Sequence, residues 1–185
     1  MPPSPFQQLL GSEFAILPEP VRRLHSLGAD ATTEGRADIA AAKGIVPWLI
    51  CKLSGFPAPG RDVPVTVAFR IDGRGGEFWR RRFAGRRYAS GFATGTGRRA
   101  GLLCERFFPF VFFHQLTPTA QALRWDLVAW RLWFLPLPHW LMPPTVCFEH
   151  GDGDRFVFDI DVKFPILGQL IHYRGWLAQK SLPEE

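Results

Sequence analysis

No uninterrupted apolar run of about 18 residues occurs in this 185-residue chain, which argues against a transmembrane helix. The opening MPPSPFQQLL has no basic segment followed by an apolar one, so no signal peptide is expected. Cysteine is scarce. Cys51, Cys104 and Cys147 stand far apart, with no CxxC pair, and an odd, scattered set argues against a disulfide framework or a zinc site. Reduced thiols and a cytoplasmic setting follow as the expectation. The five histidines show no HxH or HxxxH spacing, no serine sits in a GxSxG elbow, and no GxGxxG opens a helix after a strand. No metal and no cofactor are expected from these patterns.

Tyrosine is scarce too, at 2 residues, while phenylalanine and tryptophan are abundant at 17 and 7. An interior holding so many rings with so few phenols is very apolar. Either the rings fill a bulky core or they wall a cavity. The charge is +5, and 18 of the 22 basic residues are arginine. Arginine binds phosphate and carboxylate through a planar fork, so a basic surface suggests nucleic acid, anionic lipid or an acidic partner.

Along the chain, Phe6, Leu9, Leu10 and Phe14 recur at helical spacing. Pro18 and Pro20 suit the first turn of a second short helix, with Val21, Leu24, His25 and Leu27 on one face and Gly28 as its stop. Thr32 to Lys43 is a weakly patterned, Ala-rich strand candidate. Ile45 to Leu53 predicts one or two helical turns. Val63 to Ile71 and Glu77 to Phe83 flank the turn DGRGG and predict a hairpin. Further strands are expected over Arg86–Ala93, Ala100–Gln115 (bent at Pro109), Leu123–Phe134, Val146–Glu149, Arg155–Phe164 and Gln169–Ala178. The clearest is Arg155–Phe164, where Phe156, Phe158, Ile160, Val162 and Phe164 should all face inward. Leu135 to Pro144 carries four prolines and should be irregular. The expectation is one domain over residues 1–185. It is mainly β (α+β), a curved antiparallel sheet or open β-barrel of about seven to nine strands with two short N-terminal helices.

Several segments occur in a characteristic order: LLGSEFAILPEPVRRLH, EFWRRRF, LPLPHWL, GDGDRFVFDIDV and HYRGWL. In this ordered set the chain resembles the bacterial family known as domain of unknown function 4166, over roughly Phe6 to Leu177. The resemblance implies no established activity and no catalytic residue. Some members are joined to nucleotide-binding oxidoreductase-like domains, which implies a third role, as a non-catalytic module serving such a partner.

Two acids sit in apolar sequence, Glu105 in LLCERFFPFVFF and Asp126 in LRWDLVAW. Strand alternation puts Asp126 on the outer face with Arg124. A carboxylate facing an apolar cavity could act as general acid or base, so Glu105 is a catalytic candidate, with an arginine ion pair as the plain alternative. Tyr173 should face inward with Ile171 and Leu177, either as a satisfied core residue or as a donor to a ligand. Trp125, Trp130, Trp133, Trp140, Phe110 and Phe112 are the candidate ring wall for a ligand.

Between Arg74 and Arg99 lie eight arginines and one acid. Arg80, Arg81, Arg82, Arg86 and Arg87 are expected to form a basic surface on a hairpin. No stacking platform interleaves with them, which argues against nucleic acid as the partner, whereas anionic lipid headgroups fit. The uncharged segment Leu132–Pro144 and the segment Ile45–Pro57, both with proline and tryptophan, could rim a pocket or dip into a bilayer surface. The sequence favours binding of a lipid-like or other apolar small molecule in an aromatic-lined cavity, with a position at the cytoplasmic face of the inner membrane as the accompanying expectation. A cofactor-free acid/base enzyme is the alternative. Buried ionisable groups in a cavity would favour the enzyme, a purely apolar cavity the binder, and a filled core the partner module.

Overall fold

The computed structural model describes residues 2–27, 31–53, 55–165 and 167–179. Among these the chain forms three α-helices: α1 (Pro5–Leu10), α2 (Glu19–His25) and α3 (Ile45–Leu53). Eleven strands accompany them. They are β1 (Thr32–Ala41), β2 (Gly60–Ile71), β3 (Glu77–Phe83), β4 (Arg86–Thr94), β5 (Leu103–Phe107), β6 (Phe110–Pro118), β7 (Ala122–Leu132), β8 (Leu135–Pro136), β9 (Thr145–Asp152), β10 (Arg155–Phe164) and β11 (Gly168–Gln179). Every pairing is antiparallel, and the order β6-β5-β4-β3-β2-β1-β11-β10-β9-β7 returns on itself through β6–β7. The sheet is therefore a closed barrel of ten strands with the short β8 added on β7. This corrects the expected count of seven to nine and the open form. The extra strands come from Ala100–Gln115, which turns back at a cis Phe108–Pro109 bond into β5 and β6, and from the two-residue β8. Closure leaves no unpaired edge on the ten barrel strands.

The weak strand pattern of β1 has a packing cause. Gly35 pairs with Leu177 and Ala37 with Gly175, so small residues let β1 and β11 approach closely. A Cβ on Gly175 would fall 2.6 Å from Phe158 Cζ. Propensity reads such a strand poorly, because its fit is to neighbours rather than to the pleat.

The N-terminal helices stopper one end of the barrel. Ser4 caps α1 reciprocally: Gln7 N donates to Ser4 Oγ (3.2 Å) and Ser4 N donates to Gln7 Oε1 (2.8 Å), with Pro5 in the first turn. Phe6 is then fully buried against the rings of His25, Trp79, Phe92 and Trp125. Val21, Leu24 and His25 form the buried stripe of α2, as their spacing predicts. The Gly28 stop lies outside the described residues. At this stoppered end also lie the turns β2–β3, β4–β5, β6–β7 and β9–β10. The opposite end carries α3, between β1 and β2, and the turns β3–β4, β5–β6 and β7–β8.

The inward face read on β10 holds as far as Val162: Phe156, Phe158, Ile160 and Val162 line the interior, while Phe164 is half-buried at the strand's far end and off the cavity wall, and Val157 on the other face is buried as well. Irregularity begins where expected, since Leu135–Pro144 holds only β8 and a single 3-10 turn at His139–Leu141.

Candidate functional site

The barrel interior is not filled. A cavity of about 150 Å³ remains, and most of its wall is apolar. Val65, Val67 and Phe69 of β2, Trp79 and Phe83 of β3, Trp125 and Leu127 of β7, and Phe156, Phe158 and Ile160 of β10 contribute to it. It extends to Phe56, Phe107, Phe112, Pro143 and Thr145, beneath the end that carries α3. At the other end Phe6 and His25 lie behind Trp79 and Trp125.

A polar belt crosses this wall on four consecutive strands. Arg81 of β3 donates from Nη1 to Ser90 Oγ of β4 (3.0 Å), and Ser90 Oγ donates to Glu105 Oε1 of β5 (2.6 Å). His114 Nε2 of β6 donates to Glu105 Oε2 (3.2 Å), a carboxylate being acceptor only. All four residues line the cavity. Burial pushes the Glu105 carboxyl up, but the His114 contact, the Arg81 charge and the Ser90 hydroxyl outweigh it and hold the group below its ordinary range. The Arg81 guanidinium packs over the rings of Trp79 (5.0 Å), Tyr88 (5.4 Å) and Phe92 (5.6 Å), cation–π contacts that accommodate a charge among aromatics.

A second polar group lies nearer the stopper. His25 Nε2 and Glu149 Oε2 are 2.7 Å apart, both buried, and Glu149 also lines the cavity. Glu77 accepts from Trp79 Nε1 (2.8 Å), and burial pushes its carboxyl above the ordinary range. Burial likewise raises the Cys147 thiol and the Tyr173 phenol well above their usual values. Burial thus favours the neutral thiol of Cys147 and the neutral phenol of Tyr173, which can both donate and accept. The Tyr88 and Tyr173 hydroxyls neighbour one another, yet Tyr88 Oη is buried without a partner in hydrogen-bonding geometry, as is Trp125 Nε1.

The catalytic candidates Glu105 and Tyr173 both lie on the cavity wall, as do the ring candidates Trp125 and Phe112. Phe110 and Trp130 stack on one another (5.9 Å) beyond Phe112, towards the α3 end, and Trp130 Nε1 donates to Pro138 O (3.2 Å). Trp133 and Trp140 are not in the wall. Both are exposed on the outside, because they belong to the β7–β8 turn and the 3-10 turn after it. Arg81 is corrected as well. It turns inward between Trp79 and Phe83, while Arg80 and Arg82 point out. In the run Arg80–Arg82 identical side chains hide the alternation that the flanking aromatics would have revealed. Arg86 and Arg87 are exposed at the β3–β4 turn. Arg74, Arg98 and Arg99 lie at the stoppered end, so the eight arginines do not form one patch. Asp126 is on the outer face, accepting from Arg124 Nε (2.8 Å), as its alternation predicts. Sequence reasoning missed Ser90, His114, His25 and Glu149. His114 was accessible to it, since Phe112, His114 and Leu116 share a parity on β6.

The α3 end is rimmed by exposed apolar side chains. Ile45 (82% exposed) and Leu53 (79%) stand on α3 with Trp48, and Phe108 (82%), Phe134 (85%) and Trp140 (70%) stand on the β5–β6 and β7–β8 turns and beyond. The Trp133 ring lies against Phe108 (6.4 Å), and its φ of +52° is a conformation that bulky residues avoid. Arg86 Nη1 donates to Phe56 O (3.0 Å), which joins the β3–β4 turn to the segment after α3. No helix among the described residues is long and apolar enough to cross a membrane.

No curated protein matches the chain. Two solved structures have a distant likeness. A secretary abundant heat soluble (SAHS) protein from Ramazzottius varieornatus is 9% identical, with a TM-score of 0.42 over 83% of this chain and 98% of that chain. Fatty-acid-binding protein 1 of Echinococcus granulosus is 9% identical, with a TM-score of 0.43 over 82% of this chain and 96% of that one. At this identity and these scores neither says what the present barrel holds. The match over residues 17–177 is of another kind: the chain belongs to the family described as Domain of unknown function (DUF4166).

Proposed function

We propose that this barrel binds a small apolar molecule in its aromatic-walled cavity and receives it through the α3 end while resting on an anionic membrane surface. The observation that carries the reading is the cavity itself. A closed, well-packed β-barrel of this size can fill its interior with side chains, yet about 150 Å³ is left between Trp79, Trp125, Phe156 and Phe158. A cavity of that size in an apolar interior holds about one ring. A longer ligand would place its remainder among Phe112, Phe107 and Pro143, under the rim.

The rim supplies the second half of the reading. Exposed Trp48, Trp133 and Trp140 suit the headgroup level of a bilayer. Arg82, Arg86 and Arg87 belong to the β3–β4 hairpin, whose turn is at the same end. Apolar insertion and basic attraction on one face are the two signals that stable peripheral attachment needs.

The test is calorimetric titration with ethylbenzene, a one-ring apolar probe. Saturable one-to-one binding that is abolished by Leu127→Trp, which fills the cavity, is the expected result. No binding, or binding that survives Leu127→Trp, refutes the reading.

A second reading, a cofactor-free acid/base enzyme, is the one that ionisable groups on the cavity wall favour. An ionised Glu105 touching His114 on the wall of an apolar cavity is a pair suited to general acid/base work on a bound molecule. The unfilled core speaks against a purely structural partner module.

A further inference from the structure

Resting on the reading of the cavity as a ligand site, we propose that it selects apolar molecules bearing a neutral hydrogen-bond acceptor, such as a ketone, aldehyde or ester carbonyl, and rejects carboxylates. Two features of the wall lead there independently.

The first is a surplus of donors. Trp125 Nε1 and Tyr88 Oη are buried, their residues line the cavity, and neither has a partner in hydrogen-bonding geometry, although the Tyr173 hydroxyl neighbours Tyr88 Oη. An indole N–H can only donate, and a buried donor left unpaired is destabilising, so an acceptor arriving from outside is favoured. Arg81 lies between them: its guanidinium packs over the rings of Tyr88 and Phe92, and Trp125 meets Phe92 edge-on at 5.9 Å.

The second is the charge already in place. One guanidinium, Arg81, and two carboxylates, Glu105 and Glu149, stand on the wall. Glu105 is the inner counter-charge of Arg81 through Ser90, so the cation is not free to take a second anion. His114 and His25 are each engaged with one of the two carboxylates. A carboxylate ligand would be a third negative group in a space walled by rings, where neither water nor salt screens the repulsion well. Rejection through a built-in like charge is a general route to specificity. A neutral carbonyl takes the donors without that repulsion.

Three probes of nearly equal size separate the terms: ethylbenzene, acetophenone and benzoate, titrated at neutral pH. Acetophenone is expected to bind about tenfold or more tightly than benzoate, the size of repulsion that a few ångströms gives at intermediate dielectric. Trp125→Phe and Tyr88→Phe should each lower the affinity for acetophenone relative to ethylbenzene about fivefold, the worth of one hydrogen bond. Glu105→Gln, which keeps an acceptor for Ser90, should strengthen benzoate binding relative to ethylbenzene. If ethylbenzene binds and benzoate equals or exceeds acetophenone in the wild-type protein, the selection for a neutral acceptor is overturned while the cavity remains a ligand site. If none of the three binds, the ligand-site reading falls and this inference with it.

Discussion

Glu149 Oε2 lies 2.7 Å from His25 Nε2 with both side chains buried, so a buried polar contact ties the helical stopper to β9. Removing one member leaves the other buried without its partner, and such losses run to about 3–5 kcal/mol. His25→Leu is therefore expected to be strongly destabilising in urea unfolding. The double variant His25→Leu/Glu149→Met should recover part of that loss. Additive losses would show that the two groups do not act as a pair.

Glu77 makes the barrel sensitive to pH in a definite direction. Its folded-state pKa is raised because burial disfavours the carboxylate. A raised acid pKa gives stability that is full below the unfolded value and is lost as pH rises through the folded one. Glu77→Gln keeps the oxygen that accepts from Trp79 Nε1. Its unfolding midpoint should match wild type near pH 4 and exceed it at pH 8. A gain that is independent of pH would mean that the carboxylate's charge is not the cause.

The inward turn of Arg81 separates it from its neighbours. Arg80→Met and Arg82→Met alter exposed side chains and should change stability by less than about 0.5 kcal/mol. Arg81→Met removes the bond to Ser90 and the charge opposite Glu105, and should cost about 1–3 kcal/mol. Equal effects at all three positions would contradict the register of β3.

On the membrane, sedimentation with anionic vesicles should carry the protein down, and about 0.5 M salt should release it. Phe134→Ser and Trp140→Ser on the rim, or Arg86→Glu with Arg87→Glu beside it, should weaken binding. Arg74→Glu and Arg98→Glu, at the stoppered end, should not. Equal binding to neutral vesicles, or loss through Arg74 and Arg98, would place the contact elsewhere.

The parts of the fold that sequence revealed are those fixed by one strand or helix alone. Phe158, Ile160 and Val162 alternate with Asp159 and Asp161, and Val21, Leu24 and His25 share a helix face; both patterns survive in the barrel. Closure did not show, because it depends on β1 meeting β11 across 130 or more residues at glycines that carry no hydrophobic signal. The site was half legible for the same reason. Glu105, Tyr173, Trp125 and Phe112 stood out as a charge among rings, a rare phenol and ring-rich strands. Ser90 and His114 mattered only once four strands placed them side by side. Arg81 was hidden by its own neighbours.

The central claim is that the space inside the barrel receives an apolar molecule. Methyl NMR during an ethylbenzene titration tests it most directly. Saturable shifts are predicted for the methyls of Val65, Val67, Leu127 and Ile160 on the cavity wall, with little change for Ile45 and Leu53, which are exposed on α3. Shifts confined to the α3 methyls, or none on the wall at saturating probe, would contradict it.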